Sequence, residues 1–123
     1  MITKQFVLAG RAKLTIQLPD GTHRTYKIVR AKKTGKYWCH LLTAPDTYTF
    51  FGGLDVSTGA VSGTAFAHRL LSRVLQCIWR GDEAYKPHGY NVYHSGCCGR
   101  CGRELTVPAS ILSGIGPECS KYV

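Results

Sequence analysis

The hydrophobic period of this chain changes once, and that change limits its fold more than any other feature. Up to about residue 62 apolar side chains alternate with polar ones, the period of half-buried strands; over 65–80 they recur every three to four residues, the period of a helix. From Phe6 to Leu18 the alternation sets Leu14, Ile16 and Leu18 on one face and Lys13, Thr15 and Gln17 on the other. Pro19-Asp20-Gly21-Thr22 has the makings of a tight turn, because proline presets φ and glycine accepts positive φ. His23–Arg30, Tyr37–Thr43 and Tyr48–Leu54 read as further strands, separated by Lys33-Thr34-Gly35-Lys36 and Ala44-Pro45-Asp46-Thr47. A short strand at Ala60–Ser62 follows the Ser57-Thr58-Gly59 turn.

Beyond that point Phe66, Leu70, Val74 and Ile78 fall at i, i+4, i+8 and i+12, flanked by Ala67, Leu71 and Leu75. They form one apolar stripe of an amphipathic helix, with Thr64 as its expected N-cap and Gly81 just past its end. Arg69, Arg73, Gln76 and Arg80 share the opposite face, which is either a solvated side or a contact for a polyanion. Lys86-Pro87-His88-Gly89 reads as a loop and Tyr90–Tyr93 as a short strand.

Six cysteines are present, and four of them, Cys97, Cys98, Cys101 and Cys119, crowd the C-terminal end. The chain begins with an apolar stretch of only four residues, Phe6–Ala9, too short for an export signal of ~7–15 apolar residues. The expected compartment is therefore the cytoplasm, a host cell's cytoplasm if the gene is a phage's, where thiols stay reduced and a disulfide framework is not expected. Cys98-x2-Cys101-Gly has the form of a zinc knuckle, in which two thiolates reach one tetrahedral ion across a tight turn. Cys119, after the bend Gly114-Ile-Gly116-Pro, supplies a third thiolate. The fourth donor is expected to be His94, with Cys97 as rival and His88 more distant. Cys39 and Cys77 lie in apolar segments and read as buried free thiols. The expected cofactor is Zn2+ in a structural role.

The segment from Val92 to Cys119, above all C-G-R-C-G-R-E-L-T-V-P-A-S-I-L-S-G-I-G-P-E-C, resembles a small uncharacterised zinc-domain family frequent in actinobacteria and their phages. The resemblance covers about the last quarter of the chain. It implies Cys98, Cys101 and Cys119 as metal ligands, with His94 where a histidine is common, while Cys97 departs from the family's pattern. It implies no activity.

The expected architecture is thus α+β: an N-terminal antiparallel β-meander of four to five strands, one amphipathic helix packed on it, and a C-terminal zinc knuckle. Residues 1–86 would form the basic sheet-plus-helix unit and 87–123 the knuckle, packed together as one compact domain.

Function is narrowed by exclusion and by charge. No apolar run approaches the ~20 residues of a membrane span, so no membrane partner is expected. H-E-x-x-H, the deaminase His-x-Glu pair and the phosphate-cradling G-x4-G-K-[ST] are all absent. A zinc site with four protein ligands holds no activated water, so no enzyme is expected. The net charge is +9, and it is concentrated: residues 1–40 hold nine Lys/Arg against the single acid Asp20. Phosphate backbones are drawn to such a surface by counterion release. Lys13, Arg24, Lys27, Lys32, Lys33 and Lys36 are the expected contacts on the sheet, with Arg69, Arg73 and Arg80 on the helix and Arg103 in the tail. Tyr26, Tyr37, Trp38, Tyr48, Phe50 and Phe51 interleave with them, as stacking rings do in single-strand binders, although aromatics are also ordinary strand formers. The expected function is a non-enzymatic zinc protein, phage-encoded, that binds nucleic acid through a basic sheet surface. The alternative is an inhibitor that binds an acidic host protein, such as a defence (anti-CRISPR-type) or transcription target.

Overall fold

In a computed structural model the protein is an α+β fold, a five-stranded antiparallel sheet with one main helix. The structure describes residues 2–45, 47–94, 100 and 114–115. Its elements run α1 (Lys4–Val7), β1 (Arg11–Gln17), β2 (His23–Arg30), β3 (Tyr37–Ala44), β4 (Thr47–Gly53), α2 (Phe66–Arg80), a 3-10 turn (Lys86–His88) and β5 (Asn91–His94). The first four strands meander, and the chain then crosses beneath the sheet as α2 to add β5 at the far edge, in the order β4-β3-β2-β1-β5. Because β5 pairs with β1, from Leu14 opposite His94 to Gln17 opposite Asn91, the start of the C-terminal segment belongs to the main sheet.

Alternation sorts the strands into two faces. Ala12, Leu14 and Ile16 of β1, Tyr26 and Ile28 of β2 and Cys39 of β3 are buried against Leu70, Leu71, Val74, Leu75 and Ile78 of α2. Burying such side chains contributes roughly 1.5–3 kcal/mol each, which makes this layer the fold's main support. The Tyr26 hydroxyl donates to the Ala67 carbonyl at 2.9 Å and pins the first turn of α2 over β2. At the other end Gly81 takes a left-handed φ of 78°, its N–H on the Ile78 carbonyl while Asp82 N–H reaches Cys77, closing the helix as its position predicts.

Several local expectations are corrected. The strand foreseen over Phe6–Leu18 begins only at Arg11; Phe6 and Val7 belong to the short helix α1, started by Thr3 Oγ1 accepting from Phe6 N–H at 3.2 Å, and drop into the core. The N-cap of α2 is Ala65 rather than Thr64, and no side chain caps it. Ala60–Ser62 contributes only one bridge, Val61 to Leu54. Phe66, assigned to the apolar stripe, is 44% exposed and lines a groove between α2 and the 81–90 connection. Lys86–His88 forms a 3-10 turn within the expected loop.

Candidate functional site

The face of the sheet turned away from α2 is where the chemistry gathers. Register across the strands puts Lys13, Lys27, His40 and Phe50 in one row, and Arg11, Val29, Trp38 and Gly53 in the next. Thr15, Thr25 and Tyr93 form a third row, joined by a 2.9 Å hydrogen bond between the two threonine hydroxyls. The buried core and α2 lie on the other face.

The rings of the face are accessible and mutually placed. Phe50 is 57% exposed and Tyr93 53%. Trp38 and Phe50 lie 5.7 Å apart at 57°, and His40 meets Phe50 edge-on at 5.9 Å. Together Trp38, His40 and Phe50 line a shallow hollow of about 350 Å³. Beside it the Tyr48 ring sits under two ammonium groups, Lys13 Nζ at 5.7 Å and Lys27 Nζ at 5.6 Å. The ring quadrupole attracts both ammonium groups to this spot.

A bulge sets up this arrangement. Cys39 pairs with Gly52 but His40 pairs with Phe50, so Phe51 is the extra residue on β4. Phe51 turns inward, stacked at 5.6 Å on Tyr26 and at 4.3 Å from His68, and its carbonyl accepts from His68 Nε2. Phe50 is thereby left outward. Of six aromatics foreseen among the basic strands, Trp38, Tyr48 and Phe50 lie on the open face, and Tyr26 and Phe51 serve the core. Tyr37 ties its hydroxyl to the Leu8 carbonyl at 2.6 Å.

The basic residues divide likewise. Lys13 and Lys27 are neighbours on the open face, and Lys32, Lys33 and Lys36 are exposed in the turn at the sheet end next to Trp38. Arg24 is exposed but shares its side of the sheet with its partner Ile16. Arg69, Arg73 and Arg80 lie along α2, in the helix layer. Arg103 lies outside the described residues. The described acids Asp20, Asp55, Asp82 and Glu83 all stand in turns or connections, none on a strand. Thr22 and Ser57 hydrogen bonds hold the Asp20 and Asp55 carboxyls below the usual range, so these turns stay anionic at neutral pH. Tyr93, His40 and Arg11 complete the open face and were not singled out from sequence. Their sign in the sequence is parity with Lys13 and Lys27 across the strands.

Of the proposed metal ligands, His94 is described, and Cys98, Cys101 and Cys119, with the rival Cys97, lie outside the described residues. His94 ends β5 half-buried, on the Leu14 side of the sheet, its ring 5.8 Å from that of Phe6. The chain returns to the same place, since a Cβ on Gly114 would meet the Phe6 ring and Ile115 is buried. Among the described residues no three His, Cys, Asp or Glu side chains cluster. Cys39 and Cys77 are buried free thiols, as their apolar settings predict.

Compared with known proteins, residues 91–123 match the model of a family of unknown function (DUF6011). The matched span contains the 92–119 segment whose motifs carry the resemblance described above. No curated protein and no solved structure matches the chain. No helix among the described residues is long and apolar enough to cross a membrane.

Proposed function

We propose that this protein is a non-enzymatic module, phage-encoded and zinc-stabilised, that binds single-stranded nucleic acid across the open face of its sheet. The observation that carries the reading is the interleaving of rings and lysines there: the exposed Phe50 and Tyr93 and the half-buried Trp38 and Tyr48 with Lys13 and Lys27. A flat face with several rings suits unpaired bases, whose π-faces are free, whereas a duplex offers only backbone and groove edges. The exposed Lys32, Lys33 and Lys36 extend the positive surface beyond the Trp38 end for the phosphates.

The zinc part of the reading rests on the donor chemistry and on one feature of the fold. A histidine and three cysteines are a sufficient closed set for zinc, and His94 stands at the point where the chain leaves the sheet. The chain departs and returns at the same Phe6 ring, a loop closure of the kind a structural ion stabilises.

The test is fluorescence anisotropy of labelled single-stranded DNA, single-stranded RNA and duplex DNA at several salt concentrations. Single strands are expected to bind with an affinity that falls log-linearly with salt. Phe50→Ala and Trp38→Ala should each weaken binding by about 5- to 150-fold, the equivalent of ~1–3 kcal/mol per stacked base. Flat traces at low salt, or duplex bound as tightly as single strands, would reject the reading.

A further inference from the structure

The basic residues of α2 form a second feature, separate from the sheet. A groove of about 540 Å³ runs between α2 and the 81–90 connection. Phe66, Leu70, Val74 and Tyr85 give it an apolar lining, and Arg69, Arg73 and Arg80 stand along it. Because helical residues four apart share a face, Arg69 and Arg73 are neighbours, and Arg80 follows two turns on, about 16 Å from the first along the axis. Arg80 is engaged, its Nε 3.1 Å from Asp82 and its Nη2 donating to Cys77 Sγ. Arg69 and Arg73 are exposed and make no ion pair among the described residues.

We infer that this groove binds an acidic, amphipathic segment of a partner protein, with an aliphatic side chain in the groove and carboxylates on Arg69 and Arg73. Three observations select that occupant. The cations here that are unpaired among the described residues are arginines, whose planar fork takes a carboxylate through two parallel hydrogen bonds. The lining is mainly apolar, with Leu70, Val74 and Tyr85 buried along it and the Phe66 side chain 44% exposed, which suits an apolar side chain of the partner segment. The groove also lies in the helix layer, so a strand seated on the open face of the sheet does not reach its arginines by continuing across that face.

The probe is a fluorescein-labelled peptide of glutamates and leucines, compared with one carrying glutamine for each glutamate, titrated with the full chain. The acidic peptide is expected to bind and the glutamine peptide to bind at least about tenfold more weakly, as charge-assisted contacts require. The double variant R69E/R73E should lower peptide affinity about tenfold or more, with circular dichroism unchanged because both positions are solvent-exposed. The same variant should leave binding of a labelled oligonucleotide within about twofold of the parent, which separates this site from the sheet face. Absence of peptide binding, equal binding of the glutamine peptide, or peptide binding lost in W38A/F50A but kept in R69E/R73E would overturn the inference. An equal loss of oligonucleotide affinity in R69E/R73E would overturn it too, assigning the groove to nucleic acid. A protein that binds no oligonucleotide leaves the peptide result intact, so the two readings fail separately.

Discussion

At the scale of single residues the fold depends on a few polar atoms placed inside apolar surroundings. The Tyr26 hydroxyl is the clearest, buried between sheet and helix with the Ala67 carbonyl as its acceptor. Tyr26→Phe removes one hydrogen bond and little volume, so the expected loss is about 1 kcal/mol by urea unfolding. An unchanged midpoint would mean that the bond contributes nothing to holding α2. Cys39 shows the reverse case, a group without polar support. Burial pushes its thiol up to about 12 from 9.0, so it stays neutral where an ordinary cysteine begins to ionise. Because thiolate is the reactive form, iodoacetamide at mildly alkaline pH should modify Cys39 only after denaturant is added, read by mass spectrometry of its peptide. The linked effect on stability has a definite sign. With the folded value above the unfolded one, the contribution is complete below about pH 9 and is lost as pH rises toward 12. A native protein that alkylates at Cys39 as fast as a free thiol would refute this burial.

Among the elements, the connection from β4 to α2 is held more closely than its glycine and serine content suggests. Ser72 Oγ accepts from Val61 N–H at 3.1 Å, Trp79 Nε1 donates to the Val56 carbonyl at 2.7 Å, and Gly59 is buried against α2. Gly59 has φ +82°, and a Cβ there would come within 2.9 Å of the Leu75 carbonyl oxygen and Trp79 Cδ2. Gly59→Ala should therefore cost about 2–4 kcal/mol, strain and clash together. Gly21→Ala, also at positive φ but with nothing near, should cost only about 1 kcal/mol. Thermal unfolding of the pair checks the order, and equal losses would show that α2 yields to the intruding methyl. This tight connection was legible as a turn and not as a packed one, since Ser57-Thr58-Gly59 says nothing about what lies above it. β2 was legible to the residue, because both its ends are marked by turn chemistry and its interior alternates. α1 was not, since four residues carry no period and Phe6 and Val7 read equally well as a strand. The same limit hid the open face. Adjacent rings such as Phe50 and Phe51 are equivalent in sequence, and only the bulge decides which one meets solvent. The arginine groove was legible as a helical stripe, but its apolar lining depends on Tyr85, which arrives from outside the helix.

For the whole molecule, the sheet works as a partition: α2 and the core on one side, the ring-and-lysine face on the other, with the arginine groove in the helix layer. The zinc proposal gives a prediction at this scale. Cys98→Ser or Cys101→Ser should leave purified protein without stoichiometric zinc while the helix signal of α2 in circular dichroism persists, because α2 is held by the sheet. Zinc at the parent ratio in either variant would refute the ligand assignment. The two edges of the sheet are irregular or short. At one edge the β3–β4 pairing slips register twice, between Cys39 and His40 and again between Leu42 and Ala44; at the other edge β5 is four residues long. Among the described residues, an incoming strand from a second molecule would meet a bulged strand at one edge and a four-residue strand at the other. A protein that leaves aromatic rings in water is thereby denied the simplest route to a fibril: growth by adding strands sideways.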